Sequence, residues 1–228
     1  MKKHFTLIIS SFLVLFFSAN LALANPSYYP AGTPTRAIQD LDDMLEKFHM
    51  GQLTAEQEEE NRELKRKIIK GTFNIYELSK LSLAQNWNKI SAQQQTDFVQ
   101  LLTDLLEEKA LLSKEQVAVK SKSSRKYTVN YKGHVFKNAD KTNAFVRTRV
   151  IVPTENITIN INYKLKKNNQ EWQIYDIVVD EASLVDNYRY QFNSIIQKNG
   201  HEDLVRRMKE KLDDIRAKRT NNSGDEGV

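Results

Sequence analysis

Between Ile157 and Leu165 the chain alternates without a fault. Ile157, Ile159, Ile161, Tyr163 and Leu165 fall at every second position, with Thr158, Asn160, Asn162 and Lys164 between them. Successive side chains of an extended strand point to opposite faces, so this pattern sorts into one apolar and one wet surface. A Lys167-Asn168-Asn169-Gln170 turn then leads to a hairpin partner, Trp172 to Val179. The same spacing recurs upstream in Tyr127, Val129 and Tyr131, and in Val146 and Val150 on either side of Thr148. A shorter case, Val117 and Val119, sets the expected start of the strands near residue 115. His134, just after Gly133, is expected in a hairpin turn. A sheet with one apolar face needs a cover, which the rest of the chain must supply.

That cover reads as helical. Ile38, Leu41, Leu45 and Phe48 stand at helical spacing ahead of Gly51. Thr54 and Gln57 form a capping box for a charged helix running to about Lys70, with Gly71 as its stop. Asn74 with Glu77 starts a third helix carrying Ile75, Leu78 and Leu81, which ends before an Ala84–Asn88 turn. Ser91 with Gln94 starts a fourth, carrying Phe98, Leu101, Leu102, Leu105 and Leu106. After the strands, Ser183 caps a helix carrying Leu184, Tyr188, Phe192, Ile195 and Ile196, closed by Gly200. A last helix aligns Leu204, Met208, Leu212 and Ile215. Hairpin pairing and the order of elements give an α+β fold with helices about 35–112, strands about 115–180 and helices about 183–218. Residues 219–228 are expected to be a disordered tail.

The N-terminus carries Lys2 and Lys3, an apolar run from Phe5 to Phe17, and Ala22-Leu23-Ala24. This is the layout of a cleavable export signal, with cleavage expected after Ala24 and an extended Pro- and Gly-containing lead-in from Asn25 to Thr35. The sequence has no Cys. That excludes disulfide frameworks, N-terminal Cys lipidation, Cys nucleophiles and zinc-thiolate sites. Formal charge is +5, and removing Lys2 and Lys3 with the signal leaves +3. Acids and bases are interspersed along the chain, unlike the clustered footprint that nucleic-acid binding requires.

A search for catalytic chemistry finds none. His49, His134 and His201 stand singly, without metal-ligand spacing. No Gly-rich phosphate loop or nucleophile elbow is present. Asp176, Asp180 and Glu181 are expected on the wet face of their strand or in the next turn, a solvated group rather than a tuned carboxylate pair. The positive signal is apolar: a sheet rich in Val, Ile, Tyr and Trp facing Leu- and Phe-striped helices. By pattern alone it closes as an ordinary core more readily than around a ligand.

Two blocks carry a family resemblance. Trp172-Gln173-Ile174-Tyr175-Asp176-Ile177-Val178-Val179, followed by Ser183-Leu184-Val185-Asp186-Asn187-Tyr188-Arg189 and Gln191-Phe192, resembles the tryptophan strand and Ser-Leu-Val-Asn-Tyr-Arg-x-Gln-Phe run of the MlaC or toluene-tolerance family of periplasmic phospholipid-binding proteins. Phe73 through Trp87, Ser91, Gln94, Phe98 and Leu101 to Leu106 resemble the family's helical half. The likeness runs from about Pro34 to Lys218. Three departures stand out: Asp180-Glu181 where Glu-Gly is common, Ala84 where a Gly commonly precedes the Trp, and Ala110 where a Tyr is frequent.

The resemblance implies a twisted antiparallel sheet wrapped by helices, similar to the nuclear-transport-factor-like architecture. Residues 25–218 would form a single lipid-binding domain with an apolar cavity. Its implied cargo is a phospholipid, with no cofactor. Its implied partners are an inner-membrane ABC transporter with a lipid-binding ring subunit and an outer-membrane lipoprotein complex, the chain itself being a monomer. The candidate wall residues are Val129, Tyr131, Val146, Val150, Ile159, Ile161, Tyr163, Trp172 and Ile174, with Tyr188 from the helix after the strands. Arg189, at the motif's basic position, is expected to pair with a buried acid, with a place near the head group as the alternative. A carrier of another lipid such as a hopanoid, an enzyme or chaperone using the cavity, and an adaptor with a filled core remain open alternatives.

Overall fold

A computed structural model describes residues 28–49, 51–120, 128–153 and 156–223, with side chains described except at 109–120 and 219–223. The export segment and residues 224–228 lie outside the described residues. The element order is α1 (Pro34–Leu45), α2 (Ala55–Thr72), α3 (Ile75–Leu83), a 3-10 turn (Ala84–Lys89), α4 (Ala92–Lys120), β1 (Thr128–Phe136), β2 (Asn143–Val152), β3 (Ile157–Asn168), β4 (Glu171–Val179), β5 (Ala182–Ser183), α5 (Leu184–Asn199) and α6 (His201–Ser223). The fold is α+β, as the order of patterns predicts.

The helix starts are set by local chemistry. Thr54 accepts from the Gln57 amide while the Gln57 side chain accepts from the Thr54 amide, and Ser91 and Gln94 repeat the arrangement. Asn74 and Ser183 cap α3 and α5 by accepting from the amides of Glu77 and Asp186. Gly200, at φ 86°, separates α5 from α6.

Five boundaries differ from expectation. Helix α1 ends at Leu45, so Phe48 lies past it in the turn before Gly51 rather than on the helix. Helix α4 runs through Val117 and Val119 to Lys120. Two valines give a single repeat of alternation, and the Lys114-Glu115-Gln116 stretch beside them favours helix. Gly71 does not stop α2, which continues to Thr72, where the chain turns extended at Phe73. His134 lies within β1, beside a bulge whose Gly133 takes φ 80°. Helix α6 extends past residue 219 to Ser223.

The strands form one antiparallel meander in the order β1-β2-β3-β4-β5. The β3–β4 connection is a two-residue turn with Asn169 at φ 45° and Gln170 at φ 70°, the pair of positive angles that matches strand twist. The β4–β5 turn uses Asp180 at φ 43° and Glu181 at φ 74°. A bulge in β4 opposite Lys164 and Leu165 sets Ile174 across from Leu165 and Ile177 across from Tyr163. Both isoleucines therefore face inward although three positions apart, and both are 1% exposed.

Asp176 leaves the inner face at that bulge, yet it is not solvated as expected: its exposure is 1%. It accepts from the Ser183 hydroxyl at 2.8 Å and the Val185 amide at 3.0 Å, and pairs with the Lys164 ammonium at 2.7 Å. The carboxylate thus lies under the N-terminus of α5, where helix amides and dipole favour negative charge. The helices join the sheet mainly along β4, where the Asn74 amide donates to the Ile174 carbonyl at 2.8 Å. Arg189 pairs with the exposed Asp186 at 2.6 Å and donates to the Leu81 carbonyl at 3.0 Å, tying α5 to α3 rather than meeting a buried acid.

Ala84 sits at φ 51°, ψ −125°, a region that favours Gly, and Glu181 at φ 74° is left-handed. These are the two described positions where the resemblance leads one to expect a Gly, the residue such angles favour. Ala84→Gly and Glu181→Gly are each expected to raise unfolding free energy by about 1 kcal/mol, measured by urea denaturation. Asp176→Ala is expected to lower it by about 3 kcal/mol, because the Ser183 hydroxyl and Val185 amide lose a charged acceptor.

Candidate functional site

The strand registers assemble the candidate wall residues in rows across one face. Val129, Val150 and Ile159 are cross-strand partners, as are Tyr131, Thr148, Ile161 and Val179. His134, Val146, Tyr163 and Ile177 form the next row, and Phe136, Ala144, Leu165 and Ile174 the last. Trp172 faces the same way at the end of β4, where its indole donates to the Gly32 carbonyl at 3.0 Å. All nine sheet residues singled out by alternation therefore share the inner face. Tyr188 belongs to a different layer: it is buried in α5, stacked on Phe192 at 5.2 Å, which in turn meets Phe98 edge-on.

This face is covered unevenly. In the last row Ala144, Leu165 and Ile174 are at most 2% exposed. In the first row Val129 and Ile159 are only half-buried, as are Tyr131 and Val179 in the second, and Ile157 beyond them is 41% exposed. The apolar surface is thus longer than its described helical cover. Helix α1 lies over the closed part, carrying Ile38, Leu41 and Leu45 inward.

Two polar contacts are set into this apolar seam. The Thr35 hydroxyl and His134 Nδ1 lie 2.8 Å apart, and the Tyr131 hydroxyl donates to the Asp42 carboxylate. Burial lowers the His134 pKa. Burial also pushes the Asp42 carboxyl up to about 7, and the neighbouring charges of Asp43 and Glu46 add to the rise, while the Tyr131 hydrogen bond opposes it. The Tyr131 phenol is raised strongly, first by burial and then by Asp42.

Asp42 and Thr148 were not singled out by sequence. The signal for Asp42 was available: it follows Ile38 by four positions and precedes Leu45 by three, so an acid stands on the apolar stripe of α1. Val179 and Ile177 were hidden by the bulge, which breaks the period of two. Among the described residues no group of His, Asp or Glu could hold a metal ion, and no helix is long and apolar enough to cross a membrane.

The family model described as MlaC protein matches residues 39–210. The chain belongs to the MlaC family. Its structure is similar to that of a phospholipid-binding protein from Ralstonia solanacearum, solved in complex with a phospholipid. The TM-score is 0.59 at 20% identity, covering 79% of this chain and 97% of that one. At that identity the likeness establishes the fold. A search of curated proteins finds no match. Within this MlaC-family chain, the Trp172 strand and Ser183 cap that carry the sequence resemblance are also the parts that fasten the helices to the sheet.

The Asp42 environment sets a pH dependence. A carboxyl whose folded-state pKa lies above its unfolded value of about 3.9 contributes most to stability below that value, and the contribution is lost as pH rises to about 7. Asp42→Asn keeps an acceptor for Tyr131 and carries no charge. It is expected to stabilise the protein by about 2 kcal/mol at pH 8, roughly half the value of the full shift because solvent reaches the half-buried group, and to have little effect at pH 4. Urea denaturation of both proteins across this range checks the difference.

Proposed function

We propose that this chain is a periplasmic carrier that holds a phospholipid by its acyl chains against the inner face of the sheet and moves it between the inner and outer membranes. The observation that carries the reading is the uneven cover of that face, apolar except for Thr148 and His134 but only half-buried at Val129, Tyr131, Ile159 and Val179. Acyl chains answer the physical need. Each methylene removed from water is worth roughly 0.8 kcal/mol, so a lipid leaves a bilayer only for an apolar site of comparable extent. Val150 and Ile161 complete the wall between these residues, and Val146, Tyr163, Trp172 and Ile174 continue it toward the closed end, with Tyr188 behind it.

Family membership and the Ralstonia solanacearum protein's bound phospholipid support the cargo class. The export pattern of residues 1–24 supports a periplasmic location. In this reading the protein binds and releases cargo without chemistry and works as a monomer. Its partners are an inner-membrane ABC transporter with a lipid-binding ring subunit and an outer-membrane lipoprotein complex.

Native mass spectrometry of the protein from a periplasmic extract is expected to show one stoichiometric phospholipid, released on denaturation. Ile161→Glu is expected to fold and emerge without it, because a carboxylate set among acyl chains is desolvated and unpaired. A bare polypeptide mass for the wild type would overturn the reading, and a hopanoid in the released fraction would overturn its cargo class.

A further inference from the structure

The same three strands that present the apolar inner face present a basic outer one. β1, β2 and β3 contain no Asp or Glu at all. By register, Arg147 lies across from Asn162 and beside the Lys132–Gly133 bulge, while Arg149 lies between Asn130 and Asn160. Lys132, Arg147 and Arg149 are exposed. Among the described residues Arg149 reaches only the Asn160 side-chain oxygen, at 3.5 Å, and no carboxylate is bonded to any of the three.

The other cations of this face differ. Lys164 is held by Asp176 and Lys166 by Glu77, so their charge is already answered. The nearest outer-face acid on the β4 side, Asp180, accepts from the backbone and side chain of Asn160. Apolar groups sit among the unanswered cations. Val135 is 46% exposed and pairs across with Phe145, over whose ring the Lys137 ammonium lies at 5.2 Å. Helix α1 does not cover this surface, since its contacts with Tyr131 and His134 lie on the inner side.

We infer that the outer face of β1–β3, centred on Lys132, Arg147 and Arg149 around Val135 and Phe145, docks on a membrane surface of anionic phospholipid headgroups. Long basic side chains around exposed apolar ones are the pattern that lies in a bilayer interface, with cations at the headgroups and apolar groups at the acyl boundary. An anionic surface draws each such cation independently, so no partner geometry is needed. The inference goes beyond the cargo reading and stands without it, because the face that docks is not the face that holds the ligand.

Co-sedimentation with vesicles tests it. The full protein is expected to bind vesicles of equimolar phosphatidylcholine and phosphatidylglycerol, to release them as NaCl rises, and to ignore pure phosphatidylcholine. The triple variant Lys132→Gln, Arg147→Gln, Arg149→Gln is expected to bind roughly a hundredfold more weakly, at about fivefold per cation, with unchanged circular dichroism. A control triple on α6, Lys209→Gln, Lys211→Gln, Lys218→Gln, is expected to bind as the wild type does. Equal loss in both triples would attribute binding to net charge and overturn the inference. So would equal binding to neutral vesicles, or binding to polyglutamate without binding to anionic vesicles.

Discussion

An antiparallel sheet with one apolar face must bury that face, and the rest of this structure depends on where its helices attach. They attach along β4. The Asn74 amide meets the Ile174 carbonyl there, and the N-terminus of α5 rests on the buried Asp176 carboxylate. Two bulges shape the sheet around this joint, one at Gly133 and one opposite Lys164 and Leu165, each adding local twist. Helix α1 then folds back over the inner face, held by Trp172 donating to Gly32 and by the polar contacts of Thr35 and Asp42. Cover is complete over Ala144, Leu165 and Ile174 and thinner at Val129, Ile159 and Val179. Val129 and Ile159 stay half-buried, and in the proposed reading they are where an acyl chain would find apolar wall still facing solvent.

The placement of Asp42 extends this logic. A carboxyl on the apolar stripe of α1 is poorly solvated, and among the described residues its hydrogen-bond donor is the phenol of a candidate wall residue, Tyr131. Replacing it by an aliphatic side chain would fill the seam more tightly but leave the phenol without its acceptor. The outer face follows different physics. Away from β4, where Asp176 meets the N-terminus of α5, its exposed side chains need only be soluble, and the Lys and Arg of β1–β3 stand there without an Asp or Glu on the same strands.

Much of the fold was legible because its signals are local. Thr54 with Gln57, Ser91 with Gln94, Asn74 and Ser183 mark helix starts through bonds that close within three residues. Alternation within β1, β2, β3 and β4 fixes a face for the nine sheet candidates. What sequence did not reveal depends on partners far along the chain. Asp176 looks like a surface acid because the residues that bury it, Ser183, Val185 and Lys164, are gathered only by the β4–β5 turn and the β4 bulge. Val117 and Val119 mimic a strand because two residues cannot separate a period of two from chance. Tyr188 occupies the right stripe, but helical periodicity does not say which neighbour its ring meets, and here it is Phe192.

The central claim is that acyl chains lie on the open part of the inner face. Isotope-edited NMR on the protein loaded with phospholipid carrying 13C-labelled acyl chains tests it most directly. The account predicts contacts from acyl methylenes to the methyl groups of Val129, Ile159 and Val179, and none to Leu204, which is buried in α6. Contacts absent from those three residues, or confined to the helices, would contradict it.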